Sequence, residues 1–251
     1  MRTINETGLV KHTITDFIDN VFVAKPGKIL CWDTCGLLDI VRFVYRQEPI
    51  NTFDSIVTIL DMVESGQVLS VASELTIKEW NDNIDIVYDF VVDSFIKTTN
   101  YHYMASDAIN KIKSLSLPTS QLHGQGLEDE LLNIAIRILN KTYFLKADEV
   151  SKDAIVRISN HQAPGGKKSK SEAKDCVIWE TMLALSKCLN NYPDKTKVPN
   201  TTKVFYTVNT DDFADKSRVP YQFQRILLTE AAANAFLCCL NFKEVEASLT
   251  I

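Results

Sequence analysis

The chain has 251 residues, of which 45% are hydrophobic and 24% charged, and its formal net charge is −5. This is ordinary globular composition, which indicates neither a membrane protein nor a disordered chain, and the length suffices for one well-buried α/β domain or for one core domain with a large insertion. A negative total argues against a generally basic nucleic-acid binder, although a local basic edge beside an acidic pocket remains compatible with it.

From the N-terminus, Met1 to Val10 is polar and lacks the apolar centre of a signal peptide, which places the protein in the cytoplasm. The turn signal Pro26-Gly27 precedes the apolar run Lys28 to Trp32, read as a buried strand that ends at Asp33. Thr34 to Arg46 carries apolar residues at 37, 38, 40, 41, 44 and 45, which predicts a helix. Asn51 or Thr52 caps a second helix that runs through Glu64, with Gly66 to end it. Val68 to Val71 is a short strand, and Ser73 opens the next helix with Glu74 in its first turn. From about Asn81 to Ala147 the pattern is helical without a strand, and Leu127 to Leu145 is its clearest amphipathic helix. Ser159 to Ser171 reads as a polar, basic loop, and Glu172 to Leu189 as helix. Lys203 to Val208 is β-branched or aromatic at every position after the lysine, a strand signature. Gln222 to Leu240, rich in Ala and Leu, is expected as a last long helix.

Short apolar strands separated by helices predict an α/β fold with a parallel sheet covered on both faces. No window reaches about 18 consecutive apolar residues, so no membrane span is expected. The six cysteines form no C-x-x-C pair and lie mostly in apolar runs, so they are expected as buried reduced thiols. Neither a dinucleotide-binding glycine fingerprint nor a phosphate-binding P-loop occurs.

The acids stand where a parallel sheet gathers chemistry, beyond the carboxyl ends of its strands. Asp33 follows the first strand, Glu79 lies on the helix after the second, and Asp175 lies in the first turn of the helix after the basic loop. The third strand runs into Asn209-Thr210-Asp211-Asp212-Phe213. Phosphodiester hydrolysis needs a nucleophilic water and a stabilised leaving oxygen, and hard divalent cations held by carboxylates supply both. Each acid also has a plainer reading: Asp33 as a helix cap, Glu79 as a solvated helix residue, Asp175 as a dipole partner, and one of Asp211 and Asp212 as a turn former. Glu74 and Glu180 read as surface residues. Glu180 is about 140° around the helix from Asp175, whereas Glu172 shares its face and is a candidate auxiliary ligand.

Four segments together carry a family resemblance. Ile29-Leu30-Cys31-Trp32-Asp33-Thr34 resembles the first motif of PIN domains, and Ser73-Glu74-Leu75-Thr76-Ile77-Lys78-Glu79 resembles the second, which puts the family acid on Glu79. Lys174-Asp175-Cys176-Val177-Ile178-Trp179 resembles the third, and Val204 to Phe213 the fourth. The order matches, and the motifs span 28 to 213. The family's fourth acid falls on Asn209, or on Asp212 with a longer turn. The resemblance implies a three-layer α/β/α sandwich over 1–251 with a helical insertion at about 81–165. It also implies a Mg²⁺- or Mn²⁺-dependent endoribonuclease, often with a toxin or defence role. On that reading Asp33, Glu79 and Asp175 hold the main cation, Asp212 and Asn209 place a second ion or a water, and Thr34 hydrogen-bonds a ligand carboxylate or water.

Lys167, Lys168, Lys170 and Lys174 form the most basic stretch, directly before Asp175, and are expected to steer the phosphates of single-stranded RNA. Tyr101-His102-Tyr103 is exposed in character and suits base stacking, whereas Trp80 and Trp179 read as core. An aspartyl-phosphate phosphatase would want an acid two residues after Asp33, where Cys35 stands. The rival from a different class is a catalytically inactive PIN-like module that binds nucleic acid or protein, a reading that Asn209 supports. A homodimer and an inhibitor protein are the other expected partners.

Overall fold

The structure is a computed structural model that describes residues 2–43, 46, 50–117, 125–167 and 170–250, with backbone alone at 50, 166, 167, 170 and 171. An edge strand β1 (Lys11–His12) and α1 (Ile14–Asp16), continued by a π-helical turn over Phe17–Phe22, lead to β2 (Lys28–Trp32). Helices α2 (Thr34–Arg42) and α3 (Ile50–Glu64) follow, then β3 (Val68–Ser73) and the long helix α4 (Leu75–Lys113). Next come α5 (Leu127–Asn140), β4 (Tyr143–Leu145) and α6 (Ser151–Ser159). The small hairpin β5 (Gly166–Lys167) and β6 (Lys170–Ser171) precedes α7 (Ala173–Asn190). The last part holds β7 (Lys203–Tyr206), α8 (Thr210–Phe213), and the pair β8 (Ala214–Asp215) and β9 (Gln222–Phe223). Then follow α9 (Arg225–Ala233), β10 (Leu237–Cys239) and α10 (Phe242–Thr250).

Six strands make one parallel sheet in the order β1-β4-β3-β2-β7-β10. The two-residue period of the strands sorts their side chains between two layers. Leu30, Trp32, Val68, Ala72, Phe144, Val204 and Tyr206 face a core shared with α2, α3, α4, α5 and α10. Ile29, Leu69, Val71 and Leu145 face the opposite side, against α1 and α7. Cys31 and Phe205 do the same against α7 and α9. The result is a parallel sheet covered on both faces, as the strand and helix order predicts, in a three-layer α/β/α sandwich. Because both faces are covered, the central strands are apolar at nearly every position.

The order of strands fixes where a site belongs. From β2 the chain moves out to β3 and β4 on one side, and β7 and β10 lie on the other. The direction therefore reverses between β2 and β7, and the crevice beyond their carboxyl ends is the place such sheets use for ligands. Gly36, in the first turn of α2, permits the close approach there: a Cβ at this position would lie 2.7 Å from the Tyr206 ring.

Several sequence expectations need correction. The helical segment 81–165 is not wholly helical, because it delivers β4 to the central sheet and α5 to the main core. The amphipathic helix expected to reach Leu145 stops at Asn140, and Tyr143–Leu145 pairs with β3 instead. The long helix expected over Gln222 to Leu240 is confined to α9, because Gln222–Phe223 pairs as β9 and Leu237–Cys239 as β10, with Ala235 at φ +53 where the chain leaves α9. Leu237–Cys239 pairs in parallel with β7, so a vacant sheet edge overrode the helix propensity of an Ala/Leu-rich run. The helix placed after a cap at Asn51 or Thr52 is already running at Ile50. The expected loop 159–171 contains the β5–β6 hairpin. Cys188 is exposed rather than buried, and all six cysteines are free. Trp80 and Trp179 are fully buried, and Tyr101 and Tyr103 are exposed. Among the described residues no helix is long and apolar enough to cross a membrane.

Candidate metal centre

Asp33 is the residue at which β2 ends and α2 begins. Its backbone N–H continues the sheet by donating to the Tyr206 carbonyl at 3.0 Å. It occupies the cap position of α2, yet its side chain makes no capping hydrogen bond. Instead Oδ2 accepts from the Thr207 hydroxyl at 2.5 Å. Thr207 is fully buried, and its Oγ1 in turn accepts from the Asn209 N–H at 2.9 Å. The loop after β7 is thereby fastened to the acid at the end of β2.

Asn209 caps α8, accepting from the Asp212 N–H through Oδ1. Its Nδ2 faces two carboxylates, Asp175 Oδ2 at 3.2 Å and Asp212 Oδ2 at 3.4 Å. One amide thus links the first turn of α7 to the β7–α8 turn. Of the two neighbouring acids, Asp212 is buried and turned inward, whereas Asp211 is exposed and pairs with Lys216. On the opposite wall Glu79 Oε2 accepts from the Thr34 hydroxyl at 2.6 Å. Thr34 thus fixes the direction of the Glu79 carboxylate. Lys174, expected at the substrate, instead has Nζ 3.3 Å from Glu79 Oε1.

Asp33, Thr34, Glu79, Asp175, Asn209 and Asp212 line one cavity of about 420 Å³, with Glu172 and Asp211 at the same cavity. The four acids come from four different elements, Asp33 at the end of β2, Glu79 just past the first turn of α4, Asp175 in the first turn of α7 and Asp212 in α8, which parallel topology brings to one rim. Lys168 lies outside the described residues, as do the side chains of Lys167 and Lys170. The backbones of Lys167 and Lys170 pair in the β5–β6 ladder before α7, which is tied by the Glu172 N–H to the Gly165 carbonyl at 2.8 Å. Gly165 is at φ +71, and a Cβ there would collide with the Glu172 carbonyl.

The electrostatics are unusual for a structural cluster. Burial pushes the Asp33 carboxyl well above the ordinary range; the Thr207 hydrogen bond pulls it back in part, and the Glu79 charge pushes it further. Burial raises Asp175 most, followed by repulsion from Asp33, Asp212, Glu79 and Glu172. Neither Asp33 nor Asp175 has a cationic partner among the described residues, and their hydrogen-bond donors are neutral. Packed carboxylates of this kind are relieved by a bound cation. The donors are hard oxygens, which suit Mg²⁺ or Mn²⁺. Burial and the Asp33 charge push the adjoining Cys35 thiol up. Among the described residues, no three His, Cys, Asp or Glu side chains gather at direct ligand spacing. Residues and ion therefore fit only if waters complete the coordination, as Mg²⁺ commonly requires.

Two structural judgements made from sequence fail here. Glu180, read as a surface residue, is buried against Arg157, with 2.7 Å from Oε1 to the guanidinium. Glu74, read the same way, is half-buried, accepts from the Ala147 N–H at 2.8 Å and pairs with Lys11 at 2.9 Å. Sequence reading also passed over Thr207, Arg42 and Asn83. Arg42 and Asn83 had a findable signal, since each falls on the helical stripe of a residue already singled out, Thr34 or Glu79.

No family model, curated protein or solved structure matches the chain.

Proposed function

We propose that the chain is a PIN-like nuclease that hydrolyses phosphodiester bonds of single-stranded RNA with Mg²⁺ or Mn²⁺. The observation that carries this is the meeting of Asp33 and Asp175, buried without a cationic partner among the described residues, with Glu79 and Asp212 around one cavity at the β2–β7 crevice. When bound, the ion supplies an activated water and neutralises charge on the reacting phosphate. Asp33 and Asp175 would hold it, with Glu79 and Asp212 ordering its waters from opposite walls. Thr207 and Thr34 fix the directions of Asp33 and Glu79 through their hydroxyls. Such orienting partners typically matter about 10- to 100-fold in metal affinity or activity. Asn209 sets the spacing of Asp175 and Asp212. No side-chain nucleophile is required. A cytoplasmic setting belongs to the same proposal, supported by six free thiols in a chain with no disulfide.

A second reading has an observation of its own. Lys174 already neutralises Glu79, and an amide stands at Asn209 where the motif resemblance wants an acid. That arrangement suits an inactive binding module. Labelled single-stranded RNA and DNA incubated with Mn²⁺ or with EDTA separate the two. The nuclease cuts RNA only with the metal, and Asp33→Asn and Asp175→Asn abolish cutting while remaining folded. Wild-type-like cutting by either variant removes the site assignment, and RNA binding without cutting selects the inactive module.

A further inference from the structure

The carboxylates fill only one end of their cavity. Thr34, Cys35, Leu38 and Arg42 line it as a single stripe of α2, and Glu79 and Asn83 line it one turn apart on α4. Thr34 and Arg42 are eight residues apart, about 12 Å by helical rise. The site thus continues as a groove along α2, acidic at the end of β2 and cationic at Arg42.

Arg42 carries an unmet donor. Its Nε is shut off from solvent and has no hydrogen-bond partner. Asp39, the acid one turn earlier on the same helix, is engaged by Arg46 at 2.9 Å. Among the described residues no carboxylate forms an ion pair with Arg42. The planar guanidinium fork matches a phosphate bidentately.

We propose that Arg42 binds a backbone phosphate of the strand whose scissile phosphate sits at the carboxylates. The inference rests on the nuclease reading and sharpens its substrate class. Twelve ångströms correspond to about three nucleotides at the 3.4 Å rise of a stacked strand, and fewer when the strand is extended. The substrate is therefore an oligonucleotide strand, and a dinucleotide too short to reach both ends of the groove gains nothing from Arg42.

The test measures binding by fluorescence anisotropy in the full chain carrying Asp33→Asn, a background that removes cutting and leaves Arg42 in place. The probes are a labelled single-stranded RNA of about ten nucleotides and a labelled dinucleotide. Adding Arg42→Ala is expected to weaken the longer RNA about tenfold and to lower the slope of log Kd against log salt by about 0.7. Dinucleotide binding is expected to stay unchanged. Arg42→Lys, which keeps the charge and loses the fork, is expected to retain the slope with a smaller loss of affinity. It also serves as the readout if Arg42→Ala does not fold, in which case an affinity equal to the background overturns the proposal. Unchanged affinity and slope in Arg42→Ala, or no binding of the longer RNA by the background, likewise overturns it. Cutting by wild type is scored separately. Its absence alongside an Arg42 effect ends the nuclease reading and leaves the anchor, and cutting with an unchanged KM in Arg42→Ala does the reverse.

Discussion

Replacing Asp175 by Asn should make the metal-free protein more stable, because the native carboxyl is held where it repels its neighbours. Asp175 is 8% exposed and is pushed upward by burial and by Asp33, Asp212, Glu79 and Glu172. An acid with an ordinary value of 3.8 that must stay protonated in the fold at neutral pH costs up to about 4 kcal/mol relative to the open chain. An amide of the same shape carries no such cost, and its oxygen still accepts from Asn209, which now lies at 3.2 Å. Allowing for relaxation and solvent screening, about half of that, roughly 2 kcal/mol, is a reasonable gain. For a chain of this size the melting temperature should rise by about 4–8 °C. Calorimetry of both proteins at neutral pH in EDTA reads the difference directly. Adding Mn²⁺ should then reverse the ranking: saturation at about 100 times Kd stabilises wild type by roughly 2.7 kcal/mol, while the variant, lacking a ligand, responds little. An Asp175→Asn protein that melts at or below wild type in EDTA, or that gains as much from Mn²⁺, would refute the argument that this carboxylate is retained for a cation.

Three further outcomes follow from the same geometry. The pH dependence of the metal-free protein has a definite sign: Asp33 and Asp175 lie above their ordinary 3.8 in the fold, so the folded state binds more protons, and their contribution is full in acid and lost as pH rises through the raised values. The melting temperature in EDTA should fall on going from about pH 5 to pH 8, the Mn²⁺-induced increase should grow over the same range, and parallel curves would contradict both. Thr207→Val removes the 2.5 Å hydrogen bond to buried Asp33 and should weaken Mn²⁺ binding about 10-fold by isothermal titration, with cutting reduced in step; unaltered affinity would show that Asp33 needs no orienting partner. Arg157→Met strips the cation from Glu180 and Glu230, at 2.7 and 2.9 Å, and should cost about 3–5 kcal/mol, readable as a melting temperature lower by roughly 10 °C; partial recovery on adding Glu180→Gln would identify the stranded charge as the cause.

Glu180 illustrates a limit of helical spacing. Its angle from Asp175 was read correctly, and that angle turns it away from the site, but facing away does not mean facing solvent. It meets Arg157 of α6, a helix whose packing against α7 nothing in the local sequence announces. Likewise β4 and β10 are three-residue runs, too short for alternation to reveal, and they became strands because a sheet edge was open to them. Cooperative pairing across the sheet outweighed the local preference for helix.

The sequence by itself determined what is written in periods and in residue chemistry. The central strands β2, β3 and β7, the helices that separate them, the burial of Trp32, Trp80 and Trp179, and acids stationed at strand ends were all legible, because a two-residue or 3.6-residue period and a terminal acid are local properties. Tertiary structure alone decided which acids share a cavity. It turned Asp212 inward and Asp211 outward, gave Thr34 to Glu79 and Thr207 to Asp33, tied Lys174 to Glu79, and left the Arg42 Nε buried without a hydrogen-bond partner among the described residues. The Asp33–Thr207 contact depends on the reversal of strand order between β2 and β7, which joins residues more than a hundred positions apart and leaves no trace in any window of the chain.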